Sequence, residues 1–238
     1  MRTSPYDAHA AAYSDFVAAE RSRPSSFYFR LIIPKLLEYA GPTDGLRILD
    51  AGCGEGTVTR LLAEHAREVV GIDASLPLLQ LAQAGAFAPN VTFAQHDLTL
   101  PLAAELGLFD LTVANLVLND IADCDSAIDC ICGATRPEGR IAVSINSPYS
   151  AVTRKKVERY FDSGRAAVYR GLADKGVPAI YYHRTMEEYI SSFAGRGWLV
   201  SGYSDVRPSD ELLCLDPELY ERYLQTPFFT VLRFERHR

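Results

Sequence analysis

Residues 47–57 read Arg-Ile-Leu-Asp-Ala-Gly-Cys-Gly-Glu-Gly-Thr, a short apolar strand that runs into three closely spaced glycines. Asp50 ends the strand, glycines occupy positions 52, 54 and 56, and a helix is predicted to begin at Thr57. Glycine lets the backbone approach a ligand closely, and the first turn of a helix has free N–H groups. A strand, a glycine loop and a helix in this order predict a ligand site in an α/β fold.

Strands and helices continue to alternate after this loop. Strands are predicted at 68–73, 91–94, 109–118 and 140–146, and helices at 57–66, 76–84 and 125–135. This alternation is typical of βαβ units, in which helices cover both faces of a parallel sheet. Because ligands bind beyond the carboxyl ends of such strands, we expect Asp50, Asp73, Asp97 and Asn115 to lie along one edge of the sheet.

The two ends of the chain depart from this alternation. A helix over 27–39 is expected to kink or restart at Pro34, because proline cannot donate an internal helical hydrogen bond. Strands at 198–206 and 227–236 predict an antiparallel edge on the parallel sheet.

Residues 150–197 also interrupt the alternation. An amphipathic helix is predicted over 150–175, with breaks at Gly164 and Gly171, followed by a polar-aromatic link at 181–184. Thr185 and the Glu three residues later form the pattern of a capping box, which predicts a further helix.

Three acidic side chains distinguish between two nucleotide-type ligands. In a dinucleotide fingerprint, G-x-G-x-x-G, a pyrophosphate lies at the helix N-terminus. Here Thr57 stands where the third glycine would fall, and Asp50 would repel a pyrophosphate. S-adenosylmethionine carries an α-amino group, a ribose diol, an adenine and a sulfonium cation, and it complements Asp50, Asp73 and Asp97 better.

Five segments between residues 45 and 145 match, in order, the motifs of one enzyme family. They are residues 47–57, 69–79, 95–98, 109–118 and 137–143. In these segments the chain resembles the class I S-adenosylmethionine-dependent methyltransferases of the small-molecule type. The resemblance implies an α/β, Rossmann-like, seven-stranded mixed sheet, mostly parallel with an antiparallel C-terminal strand and helices on both faces.

The resemblance also implies a division of the chain. We expect one methyltransferase domain over 1–238, composed of N-terminal lid helices at 1–44, a cofactor-binding half at 45–147, a substrate-covering insert at 148–197 and C-terminal strands at 198–238.

The implied cofactor is S-adenosyl-L-methionine, with S-adenosyl-L-homocysteine as its product. The resemblance implies that the glycines wrap the methionine part, that Asp50 lies near the amino group and that Asp73 binds the ribose. Asp50 as a turn-forming acid and Asp97 as an ordinary Asx-turn stay open as alternatives. The predicted cofactor-binding residues are Asp50, Gly52, Cys53, Gly54, Gly56, Asp73, Ala74, Asp97, Leu98 and Asn115.

Candidates for the acceptor side come from the N-terminal region and the insert. His183 is predicted to act as a base or substrate contact, with a structural histidine as the alternative. Aromatic side chains before the first strand are expected to cover the site and exclude water, with ordinary core packing as the alternative. The predicted substrate residues are Tyr6, Tyr13, Tyr28, Asn119, Tyr149 and Tyr182.

We predict no metal site. The fourth and fifth strands run into Asn115 and Asn146, where metal-dependent relatives need carboxylates. The five cysteines include no Cys-x-x-Cys pair, so they lack the spacing of a zinc site.

Composition limits the partners. Of 238 residues, 48% are hydrophobic and 23% charged, as in ordinary globular proteins. A formal net charge of −6 argues against nucleic acid, because binding a phosphate backbone usually needs a basic stripe. No apolar run approaches the ~18 residues of a membrane helix, so we expect no membrane partner. The odd number of cysteines without a Cys-x-x-Cys pair fits buried thiols in a reducing compartment, so we expect a cytoplasmic location. A monomer or homodimer is expected.

These observations predict a methyltransferase that moves a methyl group to an O or N atom of a small molecule by in-line displacement, in specialised metabolism. Two alternatives stay open. The same cofactor site could serve cyclisation or aminopropyl transfer, or the protein could bind the cofactor without catalysis.

Overall fold

The computed structural model describes residues 4–85, 87–154, 157–164, 166–168, 177 and 180–236. The helices are α1 (Ala10–Ser22), α2 (Ile33–Ala40), α3 (Thr57–Leu62), α4 (Leu76–Ala84), α5 (Cys124–Ala134), α6 (Pro148–Thr153), α7 (Met186–Ala194), α8 (Asp210–Leu215) and α9 (Pro217–Gln225). The strands are β1 (Arg47–Ala51), β2 (Glu68–Asp73), β3 (Val91–Gln95), β4 (Phe109–Asn115), β5 (Thr135–Asn146), β6 (Ala166–Val168), β7 (Ile180–Tyr182), β8 (Trp198–Asp205) and β9 (Phe229–Arg236).

Seven of these strands form one mixed sheet in the order β3-β2-β1-β4-β5-β9-β8. Every neighbouring pair is parallel except the two that involve β9, which runs antiparallel to both β5 and β8. The fold class predicted from the sequence is therefore confirmed, including the antiparallel C-terminal strand. The strand order reverses at β1, which places the glycine loop at the crevice where α/β sheets bind ligands.

Apolar side chains cover both faces of this sheet. Ile48 and Leu49 are adjacent on β1, and both are fully buried, but they pack in two different clusters on opposite faces. One cluster contains α5 and α7, with Ile128 and Phe193, while the other contains α2, with Leu36. Strands buried on both faces appear in the sequence as continuous apolar runs, which is why β1, β2 and β4 were visible there.

Two elements end earlier than predicted. Helix α3 stops at Leu62 rather than at residue 66, and strand β4 stops at Asn115 rather than at residue 118. The strand ends because Leu116 takes a positive φ of 54°, which a pleated strand cannot continue.

Strand β5 begins at Thr135, ahead of the predicted start at residue 140. Helix α5 ends at Ala134, and the strand begins at the next residue without a loop. The Thr135 hydroxyl donates to the carbonyl of Ile131 at 2.8 Å, which caps the end of the helix. Pro137 is tolerated within the strand because the β4–β5 pairing is irregular there, passing from Phe109 opposite Thr135 to Leu111 opposite Arg140.

The predicted helix over 150–175 is confirmed for residues 150–153 and is wrong for the described residues beyond them. Helix α6 ends at Thr153, residues 157–164 are not helical, and β6 pairs antiparallel with β7, which includes part of the predicted link at 181–184. At Gly164, where a break was predicted, the backbone takes a φ of 75°, which a helix cannot continue. Residues 155–156, 165 and 169–175 of that prediction, with Gly171, lie outside the described residues.

The restart at Pro34 and the capping box at Thr185 are confirmed. A short π-helical turn over Tyr28–Ile32 precedes α2, whose first turn contains the proline. At α7 the Thr185 hydroxyl accepts from the Glu188 N–H at 3.2 Å, and the Glu188 carboxylate accepts from the Thr185 N–H at 2.7 Å.

Replacing Thr185 by Ala is expected to lower the free energy of unfolding by about 1 kcal/mol, because one N–H of the first turn of α7 loses its acceptor. Urea denaturation followed by circular dichroism measures the change. Thr185→Ser keeps the hydroxyl and should stay close to the parent protein. Equal losses for Ala and Ser would show that the methyl group, not the cap, matters.

Within the described part of the chain, no helix is both long enough and apolar enough to cross a membrane.

Candidate active site

The glycine loop joins β1 to α3 through three residues in the left-handed region. Gly52, Gly54 and Gly56 have φ values of 76°, 56° and 83°. The N–H groups of Gly52 and Cys53 both donate to the carbonyl of Ile72, at 2.8 and 2.9 Å, which fixes the loop against the end of β2. Left-handed backbone is costly for residues with a Cβ, so this loop path depends on glycine.

The carboxylate of Asp50 is buried, and only one of its two oxygens accepts a hydrogen bond within the described part of the chain. Its Oδ2 accepts from the hydroxyl of Thr59 at 2.6 Å. Its Oδ1 is buried and has no hydrogen-bond partner among the described residues. Burial, reinforced by the charge of Asp73, raises the pKa of Asp50 to about 7. A buried carboxylate oxygen is costly without a hydrogen-bond donor, so a ligand that supplies a donor here would bind favourably. A cationic amino group can supply that donor.

Asp73 connects the glycine loop to α4. Its Oδ2 accepts from the N–H of Gly54 at 2.9 Å, and its Oδ1 accepts from the N–H of Ser75 at 2.8 Å. Burial also raises the pKa of Asp73. A carboxylate has about four acceptor positions, so two remain for hydroxyl groups of a ligand.

Asn115 lies at the end of β4, across the crevice from the glycine loop. Its Nδ2 donates to the hydroxyl of Tyr28 at 2.9 Å, and its Oδ1 accepts from the hydroxyl of Ser144 at 2.6 Å. These two bonds connect the N-terminal region to the ends of β4 and β5.

These groups surround a narrow cavity between the sheet edge and the N-terminal region. It is lined by Tyr13, Tyr28, Asp50, Gly52, Cys53, Gly54, Glu55, Thr57, Val58 and Asn115. Five of the ten predicted cofactor-binding residues are therefore brought together, and Asp73 lies behind them, accepting a hydrogen bond from the lining residue Gly54.

The other predicted cofactor residues lie outside that lining. Gly56 is the N-cap of α3, with no room for a Cβ next to Phe87, and Ala74 follows β2. Asp97 forms an Asx-turn with Thr99, whose N–H and hydroxyl donate to Oδ1 at 2.9 and 2.8 Å. Leu98 is buried in the core. Their predicted roles stay predictions.

Three tyrosines from the N-terminal region lie over the cavity. Tyr13 and Tyr28 line it, and Tyr6 packs edge-to-face on Tyr13 with ring centroids 5.3 Å apart. The Tyr6 hydroxyl donates to Oδ2 of Asp120 at 2.6 Å. Burial, with nearby carboxylates, raises the pKa of all three, so they are neutral phenols.

His183 is not at the cavity. It is fully buried in the insert, where Nε2 donates to the carbonyl of Tyr160 at 2.7 Å and Nδ1 accepts from the hydroxyl of Tyr181 at 3.2 Å. Both ring nitrogens are in use, as the alternative interpretation, a structural histidine, requires, and the predicted role as a base or substrate contact stays a prediction.

Asn119 also lies outside the cavity lining, and its predicted role as a substrate residue stays a prediction. It is fully buried, its Nδ2 donates to the hydroxyl of Tyr189 at 3.0 Å, and its Oδ1 accepts from the N–H of Asn146 at 2.8 Å. It supports the sheet edge rather than lining the cavity. Tyr149 is 40% exposed and stacks on Tyr160, and Tyr182 lies on β7, so neither reaches the lining.

The sequence prediction missed Glu55, Thr57, Val58 and Thr59. The first three lie in the loop and the first turn of α3, directly beside predicted residues. Their position next to the glycines in the sequence could therefore have identified them. Thr59 is the hydroxyl donor of Asp50, and no sequence pattern distinguished it from any other residue of the helix.

No group of three or more His, Cys, Asp or Glu among the described residues could hold a metal ion. The absence of a metal in the active protein stays a prediction.

Comparisons with known proteins agree on one family. A family model described as a methyltransferase domain matches residues 42–190. The malonyl-(acyl-carrier protein) O-methyltransferase of Pseudescherichia vulneris is 30% identical over 161 residues, 68% of this chain and 59% of that protein. The ubiquinone biosynthesis O-methyltransferase of Alkalilimnicola ehrlichii is 32% identical over 119 residues, 48% of each chain. The chain thus spans about half the length of the curated relatives it matches.

Solved structures share the fold. An S-adenosylmethionine-dependent methyltransferase from Mesorhizobium loti superposes with a TM-score of 0.72 at 26% identity, covering 85% of this chain and 96% of that one. The 4+2 cyclase SpnF superposes with a TM-score of 0.61 at 20% identity, covering 86% and 79%, which shows a common fold alone.

Proposed function

Since this chain belongs to the class I S-adenosylmethionine-dependent methyltransferases, we propose that it binds S-adenosyl-L-methionine in the cavity at Asp50 and transfers the methyl group to an oxygen atom of an acceptor. The observation that carries the proposal is the buried, partnerless Oδ1 of Asp50 next to the glycine loop. It supplies the acceptor that a cationic amino group needs in a place where water is largely excluded.

The proposed roles of the chain's residues follow from their positions. Asp50 holds the amino group, Gly52 and Gly54 allow the ligand to lie against the backbone, and Asp73 accepts from the ribose hydroxyls. Asp97 with Leu98 remains the proposed adenine end of the site. Asn115, held by Tyr28 and Ser144, is proposed to face the carboxypropyl chain.

The cofactor supplies a methyl group already activated by the sulfonium, so the protein's work is to orient the acceptor and exclude water. We propose that residues 1–44 act as the lid, with Tyr13 and Tyr28 closing over the cavity. The insert at 148–197 is proposed to cover the acceptor.

Oxygen is favoured over nitrogen as the methylated atom because the curated relatives named above are O-methyltransferases. Those relatives act, by name, on malonyl-(acyl-carrier protein) and in ubiquinone biosynthesis. For this chain we propose a small-molecule acceptor, as in specialised metabolism. The net charge of −6 supports a neutral or cationic molecule over an acidic macromolecule.

Replacing Asp73 by Ala is expected to weaken binding of S-adenosyl-L-homocysteine about 10- to 150-fold, because charge-assisted hydrogen bonds to the ribose are lost. Isothermal titration calorimetry measures the affinity. Asp44→Ala removes an exposed carboxylate from the turn before β1 and should leave the affinity unchanged. Failure of the parent protein to bind this ligand would remove the proposed function.

Methyl transfer itself is tested with S-adenosyl-L-methionine labelled in the methyl group. Mass spectrometry should find the label in an O-methylated product and equimolar S-adenosyl-L-homocysteine. Cofactor binding with consumption of its aminopropyl part, or with no labelled product from any tested hydroxyl compound, would contradict O-methylation.

A further inference from the structure

Asp120 lies in the turn that follows β4, at the same sheet edge as the cofactor cavity. The turn, Leu118–Asp120, begins three residues after Asn115, the last residue of β4. The carboxylate of Asp120 accepts a hydrogen bond from the phenol of Tyr6 at 2.6 Å. That distance is typical of a charge-assisted O–H···O bond, so Asp120 already binds a phenol hydroxyl in this structure.

Tyr13 shows that this hydroxyl site adjoins the cofactor cavity. Its ring packs on Tyr6, it lines the cavity, and the carboxylates of both Asp120 and Asp73 act on its hydroxyl electrostatically. A hydroxyl bound at Asp120 therefore lies next to Tyr13, whose ring lines the cavity.

Arg184 holds the turn in place through its backbone. Its guanidinium donates to the carbonyls of Leu118 at 3.2 Å, Ile121 at 2.6 Å and Ala122 at 2.7 Å. Because these bonds go to main-chain oxygens on both sides of Asp120, they fix the direction of the turn. The Asp120 carboxylate is thus presented by a rigid segment, as a proton acceptor has to be.

Several other proton acceptors near the cavity already have partners, and Glu55, which lines it, accepts from the hydroxyl of Thr57 at 3.4 Å. His183 is bonded at both ring nitrogens, Asp50 accepts from Thr59 and faces the proposed amino group, and Asp73 accepts from two backbone N–H groups. Of the described residues, Asp120 is the carboxylate that already accepts from a phenol at this place.

We propose that Asp120 is the catalytic residue that accepts the hydroxyl proton of a phenol-type acceptor, and that the Tyr6 hydroxyl occupies the acceptor's position until the acceptor enters. This inference rests on the proposed function, since it concerns the acceptor side of the same site. In the reaction, a lone pair of the acceptor oxygen forms the bond to the methyl carbon, while the carbon–sulfur bond breaks and leaves its electron pair on sulfur. The acceptor's O–H bond breaks as this happens, and its proton passes to the Asp120 carboxylate.

The probe for this test is 4-nitrophenol, whose phenolate absorbs visibly and whose neutral form does not. It is titrated into the whole protein saturated with S-adenosyl-L-homocysteine, at a pH near the probe's own pKa. The Asp120 carboxylate should hold the bound probe as the neutral phenol, so the phenolate band is expected to decrease on binding.

Asp120→Asn is expected to abolish that decrease and to weaken binding of the probe about tenfold or more, because a charged acceptor becomes a neutral one. Tyr6→Phe should tighten binding about fivefold, because the competing hydroxyl is gone. Asp123→Asn is the matched control. It makes the same change three residues further on, at the N-cap of α5, where Asn caps as well as Asp.

The affinity for S-adenosyl-L-homocysteine distinguishes a failure of the proposed function from a failure of the role proposed for Asp120. If the parent protein does not bind it, the proposed function fails and this inference with it. If it binds, but 4-nitrophenol does not, or if Asp120→Asn with parental cofactor affinity gives the parental phenolate band, the role of Asp120 is overturned. Should Asp120→Asn not fold, an unchanged or weaker probe affinity in Tyr6→Phe overturns it independently.

Discussion

Replacing Asp50 by Asn is expected to stabilise the protein without ligand and to reduce its affinity for S-adenosyl-L-homocysteine more than 100-fold. The loss of affinity follows because the proposed ammonium–carboxylate pair is buried, and removing one partner of such a pair costs about 3 kcal/mol or more. The gain in stability follows because the carboxylate is buried with one oxygen unpartnered.

The sign of the stability effect comes from the pKa. Burial raises the pKa of Asp50 from 3.8 to about 7, so between these values the folded protein keeps a proton that the unfolded chain has lost. The free energy of unfolding of the ligand-free protein should therefore fall as the pH rises from about 4 to about 7, and then level off. The Asn variant has no carboxylate to ionise, so its free energy of unfolding does not fall over this pH range. Above about pH 7 it should be about 1–2 kcal/mol more stable than the parent protein, after allowing for its own unpaired amide.

The affinity for the ligand should rise with pH, whereas the free energy of unfolding of the ligand-free protein should fall. In the proposed complex the amino group of the cofactor pairs with ionised Asp50, so the affinity for S-adenosyl-L-homocysteine is expected to rise with pH up to about 7 in the parent protein. Calorimetric titrations across this range, with urea denaturation at each pH, measure both trends. An Asn variant that is less stable than the parent above pH 7 would contradict the account.

Asp110 supplies the control with the reverse sign. It accepts from the N–H of Arg47 at 2.8 Å and pairs with Arg136, and these bonds hold its pKa below the usual range. Asp110→Asn should therefore destabilise the protein and leave the cofactor affinity unchanged. The two substitutions make the same chemical change on neighbouring strands, so their opposite effects isolate the role of the partnerless oxygen.

Replacing Gly52 by Ala is expected to lower the free energy of unfolding by about 3 kcal/mol. Its φ of 76° costs an L-residue roughly 1–2 kcal/mol. A Cβ on Gly52 would also lie 2.4 Å from Cγ2 of Val117, and relieving such a clash costs roughly another 1–3 kcal/mol. Urea denaturation measures the total, and cofactor binding should be lost with the loop geometry.

Gly45 separates the two contributions. It has a φ of 69°, and nothing lies within 4 Å of the position that a Cβ would occupy, so Gly45→Ala should cost only the backbone strain of about 1 kcal/mol. Adding Val117→Ala to Gly52→Ala should recover part of the loss by removing the obstructing methyl groups. A Gly52→Ala variant no less stable than Gly45→Ala would show that the glycine loop and the segment at Val117 separate easily.

Local patterns in the sequence predicted the sheet well because each strand and its following turn carry their own signal. Strand β2 has the predicted bounds, and Asp50 and Asp73 lie where strand ends have to meet. The failures involve partners far apart in the chain. Tyr6 and Asp120 are separated by 114 positions, and no local pattern announces their contact.

The contacts of His183 are a second example of partners that a local sequence pattern does not reveal. A histidine in a run of tyrosines has the composition of a binding site, but its ring is satisfied by the carbonyl of Tyr160, a residue 23 positions earlier. The helix predicted over 150–175 failed similarly, because the pairing of β6 with β7 overrides local helical preference.

The way Arg184 holds the turn after β4 has a consequence for how this scaffold can change. Its bonds to this turn go only to main-chain oxygens, so those bonds do not specify the side chains of Leu118, Ile121 and Ala122. Ala122 is exposed and can be exchanged while the path of the segment is retained, whereas Leu118 is fully buried in the core and Ile121 packs against that core. Selection for a different acceptor can therefore use point substitutions at the exposed position, without remodelling the sheet or the cavity at Asp50.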